Sequence, residues 1–288
     1  MDSAEIGIIG GSGLYSMESL QGEKRVSLET PFGPPSAPYV LGDWHGRRVA
    51  FLARHGEGHL LLPTEIPYRA NIYGFRMLGV ERILSVSAVG SMKEEIAPGE
   101  IVLPDQFVDR TRQRISTFFG GGIAAHISFA EPICDDLRGI VRRAAARTKV
   151  RIHDGGTYLC MEGPQFSTRA ESLLYRNWGM SVIGMTNLQE AKLAREAELC
   201  YATLALVTDY DTWHEEEESV NVGSVLDILR ANVARAREIL AGAVPLVSGT
   251  RKCACSNALR DAILTEQSRI PPETRQRLRL LLEKYLEA

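Results

Sequence analysis

The 288-residue chain has no apolar run approaching the roughly 18 residues that a membrane span needs. Its N-terminal MDSAEIGIIGG has no basic stretch followed by an apolar one, so no membrane partner and no secretory leader are expected, and the expected location is cytoplasmic. Positive charge is not in excess: a formal net charge of −3 removes any broad electrostatic case for a nucleic-acid partner. There are no internal repeats and no low-complexity segment. Cysteine is scarce, at five residues, and an intracellular compartment argues against disulfides, thermophiles excepted. Cys134, Cys160 and Cys200 lie in apolar surroundings and read as buried free thiols. Cys253 and Cys255 form a C-x-C without nearby His or further Cys, which is weak evidence for metal, and no metal is expected.

What is present is the composition of an ordinary enzyme, 44% hydrophobic and 24% charged, with enough length to bury a large core. Strand-like runs (EIGIIGG, RRVAFLARHG, ERILSVSAVGS, EIVLPDQFVD, SVIGMT and YATLALVTD) alternate with helix-like ones (PTEIPYRANIYGFRMLG, STRAESLLYRNWG, NLQEAKLAREAEL and the long GSVLDILRANVARAREILAGAVPLV). That alternation predicts an α/β fold with a mixed, largely parallel central sheet flanked by helices. After TRKCACSN, which reads as a linker, residues 256–288 read as two short helices, the second opened by Pro271 and Pro272.

The chemistry concentrates where strands end, because ligands of open α/β sheets sit beyond the carboxyl ends of strands. In YATLALVTDYD a buried-strand pattern stops at Asp209 and Asp211, which share one side if extended geometry persists. Two such carboxylates suit the N7 and 6-amino edge of adenine; the plainer reading makes Thr208 and Asp209 helix caps. Gly10-Gly11-Ser12-Gly13 follows the first strand, but its spacing is neither G-x-G-x-x-G nor a P-loop, leaving orthophosphate as the anion it suits, or a turn that simply wants glycine. Arg54-His55-Gly56, with His59 four residues on, offers a guanidinium for bidentate phosphate recognition and a neighbouring imidazole donor. Ser87-Ala88-Val89-Gly90-Ser91 is a further small, hydroxyl-bearing strand end. In EGPQFSTRAES a Gly-Pro turn leads to a helix capped at Ser167 or Thr168, with Phe166 free to stack on a planar ring or else to cap the core. Met185, in GMTN, can contact a sugar.

Together, GGSGLY, TPFG, ARHG with His59, Gly90-Ser91, EGPQFSTRAES, GMTN and VTDYD with Trp213 resemble the trimeric purine nucleoside phosphorylase superfamily and, within it, the 5'-methylthioadenosine phosphorylases, from about Ile6 to Val247. The resemblance implies a nucleoside phosphorylase domain over residues 1–250 and a C-terminal helical extension over 251–288. It implies phosphate binding by Ser12, Arg54, His55, Ser87, Ala88 and Thr186, nucleoside binding by Phe166, Ser167, Met185, Asp209 and Asp211, and catalysis by Asp209 and Asp211. It also implies an apolar pocket for the 5'-substituent, built from Val222, Val225 and Leu226 with His126 of a neighbouring subunit. Relatives acting on 6-oxopurines place Asn at the position of Asp209, so this chain is expected to take adenine. The implied partners are methylthioadenosine and orthophosphate, with no cofactor because phosphate is a co-substrate, in a homotrimer or a dimer of trimers. Gln189 departs from the proline of many relatives, and the C-x-C tail resembles that of some archaeal, disulfide-containing hexameric members.

Cleaving an N-glycosidic bond develops positive charge on the ribose and negative charge on the purine. The reading therefore needs an anion near C1' and a carboxyl of raised pKa, Asp209, at N7. Three alternatives remain: a hydrolytic nucleosidase, a non-catalytic nucleoside-binding module, and a broader phosphorylase of adenosine and inosine.

Overall fold

The computed structural model describes residues 2–11, 14, 20–214, 222–247 and 249–286, with the backbone alone described for 222–226. In chain order its elements are β1 (Ile6–Gly10), β2 (Gln21–Val26), β3 (Tyr39–Trp44), β4 (Arg47–Ala53), α1 (Tyr68–Met77), β5 (Arg82–Ser91), β6 (Ile101–Leu103), β7 (Gln106–Arg110), α2 (Asp135–Ala145), β8 (Ile152–Asp154), β9 (Thr157–Met161), α3 (Arg169–Asn177), β10 (Val182–Gly184), α4 (Asn187–Glu196), β11 (Cys200–Asp209), α5 (Val222–Ala243), α6 (Pro272–Arg277) and α7 (Arg279–Leu282). The strands form one mixed sheet with the path β2-β3-β4-β1-β5-β10-β9-β7, and β11 joins β5 to β6, which carries β8. Pairing is parallel at β1/β4, β1/β5, β5/β11, β9/β10, β7/β9 and β6/β8 and antiparallel at the other four contacts, so the predicted mixed, largely parallel sheet is what forms.

The two most apolar runs become the two most enclosed strands: every residue of β1, and all of β11 except Asp209, is buried. Helices α2 and α5 pack on each other and on β11, while α1 and α4 form a second pair against β11 and β5. The run EIVLPDQFVD, read as one strand, is two: Pro104 has no N–H for a ladder, so β6 pairs with β11 and β8 while β7 pairs with β9. The α3 start is settled by a capping box, in which Thr168 accepts from the Glu171 amide and the Glu171 carboxylate accepts from the Thr168 amide.

In the tail, the first expected helix is replaced by two short 3-10 turns, Ala254–Asn257 and Gln267–Arg269, while the second forms where Pro271 and Pro272 open it, as α6 and α7 broken at Leu278. Leu259, Ile270, Leu278 and Leu282 nevertheless belong to the same buried cluster as β1 and α5. Among the described residues no helix is long and apolar enough to cross a membrane.

Candidate active site

The sheet opens a crevice at β5. One edge of this strand is paired to β11 from Arg82 to Gly90, while the other is shared, with β1 leaving it at Ser85 and β10 joining only at Gly90 and Ser91. Backbone between Ser85 and Gly90 is thus left unclaimed on that edge, at a topological switch point of the kind where α/β folds bind ligands. A cleft of about 440 Å³ lies there, of a size that holds a nucleoside-like molecule. Its walls include Arg54, His55, Ser87, Ala88, Phe166, Met185, Thr186, Asp209 and Asp211. Motifs separated by up to 157 positions therefore share one cavity.

At one end the Arg54 side chain is only 1% exposed and Glu190 only 3%; they pair through Nε to Oε1 at 2.5 Å and Nη2 to Oε2 at 3.2 Å. Glu190 Oε2 also accepts from Ser85 Oγ, Tyr201 OH and Asn187 Nδ2, at 2.8, 2.7 and 3.2 Å. Burial opposes the guanidinium charge, but Glu190 more than offsets it and holds the Arg54 pKa above its ordinary value. This corrects the expected bidentate grip on phosphate: the fork faces Glu190, and Nη1, which donates to the Val86 carbonyl at 2.8 Å, is the nitrogen with a hydrogen left for a ligand. Gly11 is required here, since a Cβ on it would lie 2.5 Å from that Nη1.

His55 differs from expectation as well. Its Nδ1 donates to the Leu61 carbonyl at 2.8 Å and its ring stacks on His59 with centroids 4.2 Å apart. Burial, with help from Arg54, pushes its pKa down to about 4, so it is neutral near pH 7 and its remaining nitrogen, Nε2, is an acceptor rather than the expected donor. Ser87 Oγ donates to Asn187 Oδ1 at 2.5 Å, tying it to the same buried network.

At the other end, the strand geometry expected to continue through Asp211 breaks off. The β5/β11 register shifts between Val207 and Asp209, a bulge that re-aims Asp209, and the chain then turns into a 3-10 turn at Asp211, whose φ is 53°. Asp209 Oδ1 accepts from the Asp211 amide at 2.8 Å and Oδ2 from Thr208 Oγ1 at 2.6 Å. Asp211 is buried and accepts from Ser172 Oγ. Burial, reinforced by the neighbouring Asp209 charge, raises the Asp211 pKa to about 6. A raised carboxyl therefore stands at Asp211, beside Asp209. Phe166 is 50% exposed in the cleft wall and does not cap the core. Ser167 is buried behind it, its carbonyl accepting from Thr212 Oγ1 at 3.3 Å.

His126 is exposed and lies outside this chain's own cleft. Ser12 and the side chains of Val222, Val225 and Leu226 lie outside the described residues. One turn along α5, Leu229 is buried in the cleft wall. Some contributors carried no sequence signal, Glu190 foremost, because it lies in NLQEAKLAREAEL, which reads as a charged helix with one apolar stripe. Another is Arg114, which donates to the Met185 and Glu162 carbonyls and to Gln189 Oε1, so the departure at Gln189 is part of a hydrogen-bonded clasp behind the sugar side of the cleft.

This geometry matches a known group. The model of the phosphorylase superfamily matches residues 5–245, and the chain belongs to that superfamily. Two similar relatives are S-methyl-5'-thioadenosine phosphorylases, from Koribacter versatilis, 58% identical with 98% of this chain and 97% of that one covered, and from Geobacter sulfurreducens, 57% identical with 98% and 99% covered. Among solved structures, a methylthioadenosine phosphorylase from an Antarctic soil metagenomic library superposes with a TM-score of 0.93 at 49% identity, covering 98% of this chain and all of the other. The Schistosoma mansoni methylthioadenosine phosphorylase in complex with adenine gives a TM-score of 0.84 at 36% identity, with 90% and 96% covered.

Proposed function

We propose that the chain catalyses phosphorolysis of 5'-methylthioadenosine, giving adenine and 5-methylthioribose 1-phosphate, as a pentosyltransferase of purine and methionine salvage. The observation that carries this reading is the single cleft with an anion end at Arg54, Ser87 and Thr186 and a carboxyl pair at Asp209 and Asp211. A phosphate oxygen attacks C1' as the C1'–N9 bond breaks, and the departing adenine gains a proton. Arg54 Nη1 and the 87–88 backbone hold the phosphate, and Thr186 adds its hydroxyl. Neutral His55 accepts from a phosphate that keeps one proton, which favours HPO₄²⁻ or H₂PO₄⁻ over a fully ionised anion. Phe166 stacks on the base, Ser167 backs it and Met185 covers the ribose.

Asp209 faces N7 and the adjoining 6-position, while Asp211 accepts from the 6-amino group or holds Asp209 in place; Asp211, titrating near 6, is the reservoir of the proton delivered to the base. Water in place of phosphate leaves Arg54 and His55 without a common task, which disfavours the hydrolase. The names of the relatives favour methylthioadenosine over a broader purine specificity. The enzyme is read as a cytoplasmic homotrimer or dimer of trimers in which His126 reaches the neighbour's 5'-pocket beside Val222, Val225 and Leu226. The exposure of His126, Leu60 and Ile115 supports such an interface. Initial rates on methylthioadenosine, adenosine, methylthioinosine and inosine test the specificity: methylthioadenosine should turn over fastest, and a preference for the inosines would overturn it.

A further inference from the structure

Four of the five cysteines meet in the interior. The Sγ atoms of Cys134, Cys200, Cys253 and Cys255 all lie within 4.8 Å of one another, three of the residues buried and Cys253 partly so. They arrive from three segments: Cys134 is the N-cap of α2, Cys200 opens β11, and Cys253 and Cys255 flank the start of the 3-10 turn in the tail. The C-x-C has no further ligand near it along the chain, and the fold supplies two. A tetrahedral zinc thiolate with Zn–S of about 2.3 Å sets its sulfurs ~3.8 Å apart. The cluster brackets that spacing, from 3.3 Å between Cys200 and Cys253 to its 4.8 Å outer limit.

Cys134, as the N-cap residue, sits at the start of α2, the end of a helix that favours negative charge.

We propose that Cys134, Cys200, Cys253 and Cys255 form a closed, structural tetrathiolate site for Zn²⁺ that staples the C-terminal tail to the α/β core. Binding displaces four thiol protons as four Zn–S bonds form, with no oxidation or reduction. Four protein ligands leave no open coordination position, so the ion has no part in the chemistry of the cleft. The staple also reaches the segment that bears His126. Downstream of the cysteines, the Ala262 carbonyl accepts from the His126 amide at 2.8 Å and the Leu264 amide donates to the Ala124 carbonyl at 3.0 Å.

The test uses the full chain, reduced and stripped of metal, then titrated with Zn²⁺ or Co²⁺. One equivalent of zinc per chain should bind against a chromophoric chelator and raise Tm, and Co²⁺ should give the intense thiolate-to-metal bands of a tetrahedral site. Cys160→Ser, which removes the one cysteine outside the cluster, should keep the full equivalent, and Cys255→Ser should lose it. Should Cys255→Ser fail to fold, the cobalt spectrum of the unaltered protein decides alone. The proposal is overturned if the reduced, folded protein takes up no stoichiometric metal, whether its four thiols stay free or close into disulfides on oxidation.

Discussion

Replacing Glu190 by glutamine tests the anion end of the cleft through a residue that touches no substrate. Glu190 Oε2 collects hydrogen bonds from Arg54 Nη2, Ser85, Asn187 and Tyr201, whereas Oε1 accepts only from Arg54 Nε. A glutamine therefore keeps its oxygen at the Oε2 position and turns its NH₂ against the Arg54 Nε–H, so a donor meets a donor. The guanidinium, its side chain 1% exposed, is left without its counter-charge. Breaking a buried pair in this way costs about 3–5 kcal/mol. At ~2–4 °C per kcal/mol for a chain of this size, that is a Tm lower by roughly 6–20 °C, compared at equal protomer concentration.

Phosphate supplies a replacement negative charge to Arg54, so it should raise the Tm of Glu190→Gln by more than it raises that of the unaltered protein. The assay is a pair of thermal melts with and without saturating phosphate. An unchanged Tm would refute the buried pair as a determinant of stability. A normal drop in Tm with no extra rescue by phosphate would refute Arg54 as the phosphate's partner.

Asp209→Asn should cut methylthioadenosine turnover by about 2–5 kcal/mol of transition-state stabilisation and shift preference toward 6-oxopurines, because an amide donates where a carboxylate accepts; full retained activity on methylthioadenosine would remove Asp209 from the mechanism. Arg54→Lys should raise the KM for phosphate far more than that for nucleoside, since an ammonium cannot hold the Glu190 fork and still reach the cleft; steady-state kinetics with each substrate varied in turn would show equal effects if Arg54 served only the fold. Glu196 is buried, with Thr117 Oγ1 and the Phe118 amide donating to it, and burial raises its pKa to about 7. A carboxyl with a raised folded pKa contributes stability that is full below its unfolded value and is lost as pH rises, here between about 4.5 and 7. Glu196→Gln, which can still accept from Phe118 and can donate to Thr117, should therefore flatten that loss and be the more stable form at pH 8 by up to about 3 kcal/mol. Denaturant midpoints at pH 5 and pH 8 measure it, and parallel pH dependences in the two proteins would contradict the assignment.

The strands legible in the sequence are those enclosed on both faces. EIGIIGG, RILSVSAVGS and YATLALVTD consist mostly of apolar and small residues because β1, β5 and β11 are buried over most of their length. The strand β2, QGEKRV, is exposed over most of its length and held mainly by β3, so nothing in its pattern distinguishes it from a loop. The helix α2 was readable in principle, with Asp135 and Asp136 in its first turn and Arg142 and Arg143 in its last. At the site, the residues at strand ends were legible because that is where the fold puts chemistry. The side chains that fix their state were not: Glu190 meets Arg54 across 136 positions, and Cys134 meets the C-x-C only once β11 and α2 have packed. His55 is neutral and the Asp211 carboxyl is raised chiefly because both are buried, which composition cannot reveal.

The most direct test of the account is base release from methylthioadenosine in phosphate-free buffer against saturating phosphate, with the sugar product identified by ³¹P NMR. Phosphorolysis predicts adenine and a sugar 1-phosphate in equal amounts, formed only when phosphate is present. Adenine released at the same rate without phosphate, with free methylthioribose as the other product, would contradict it.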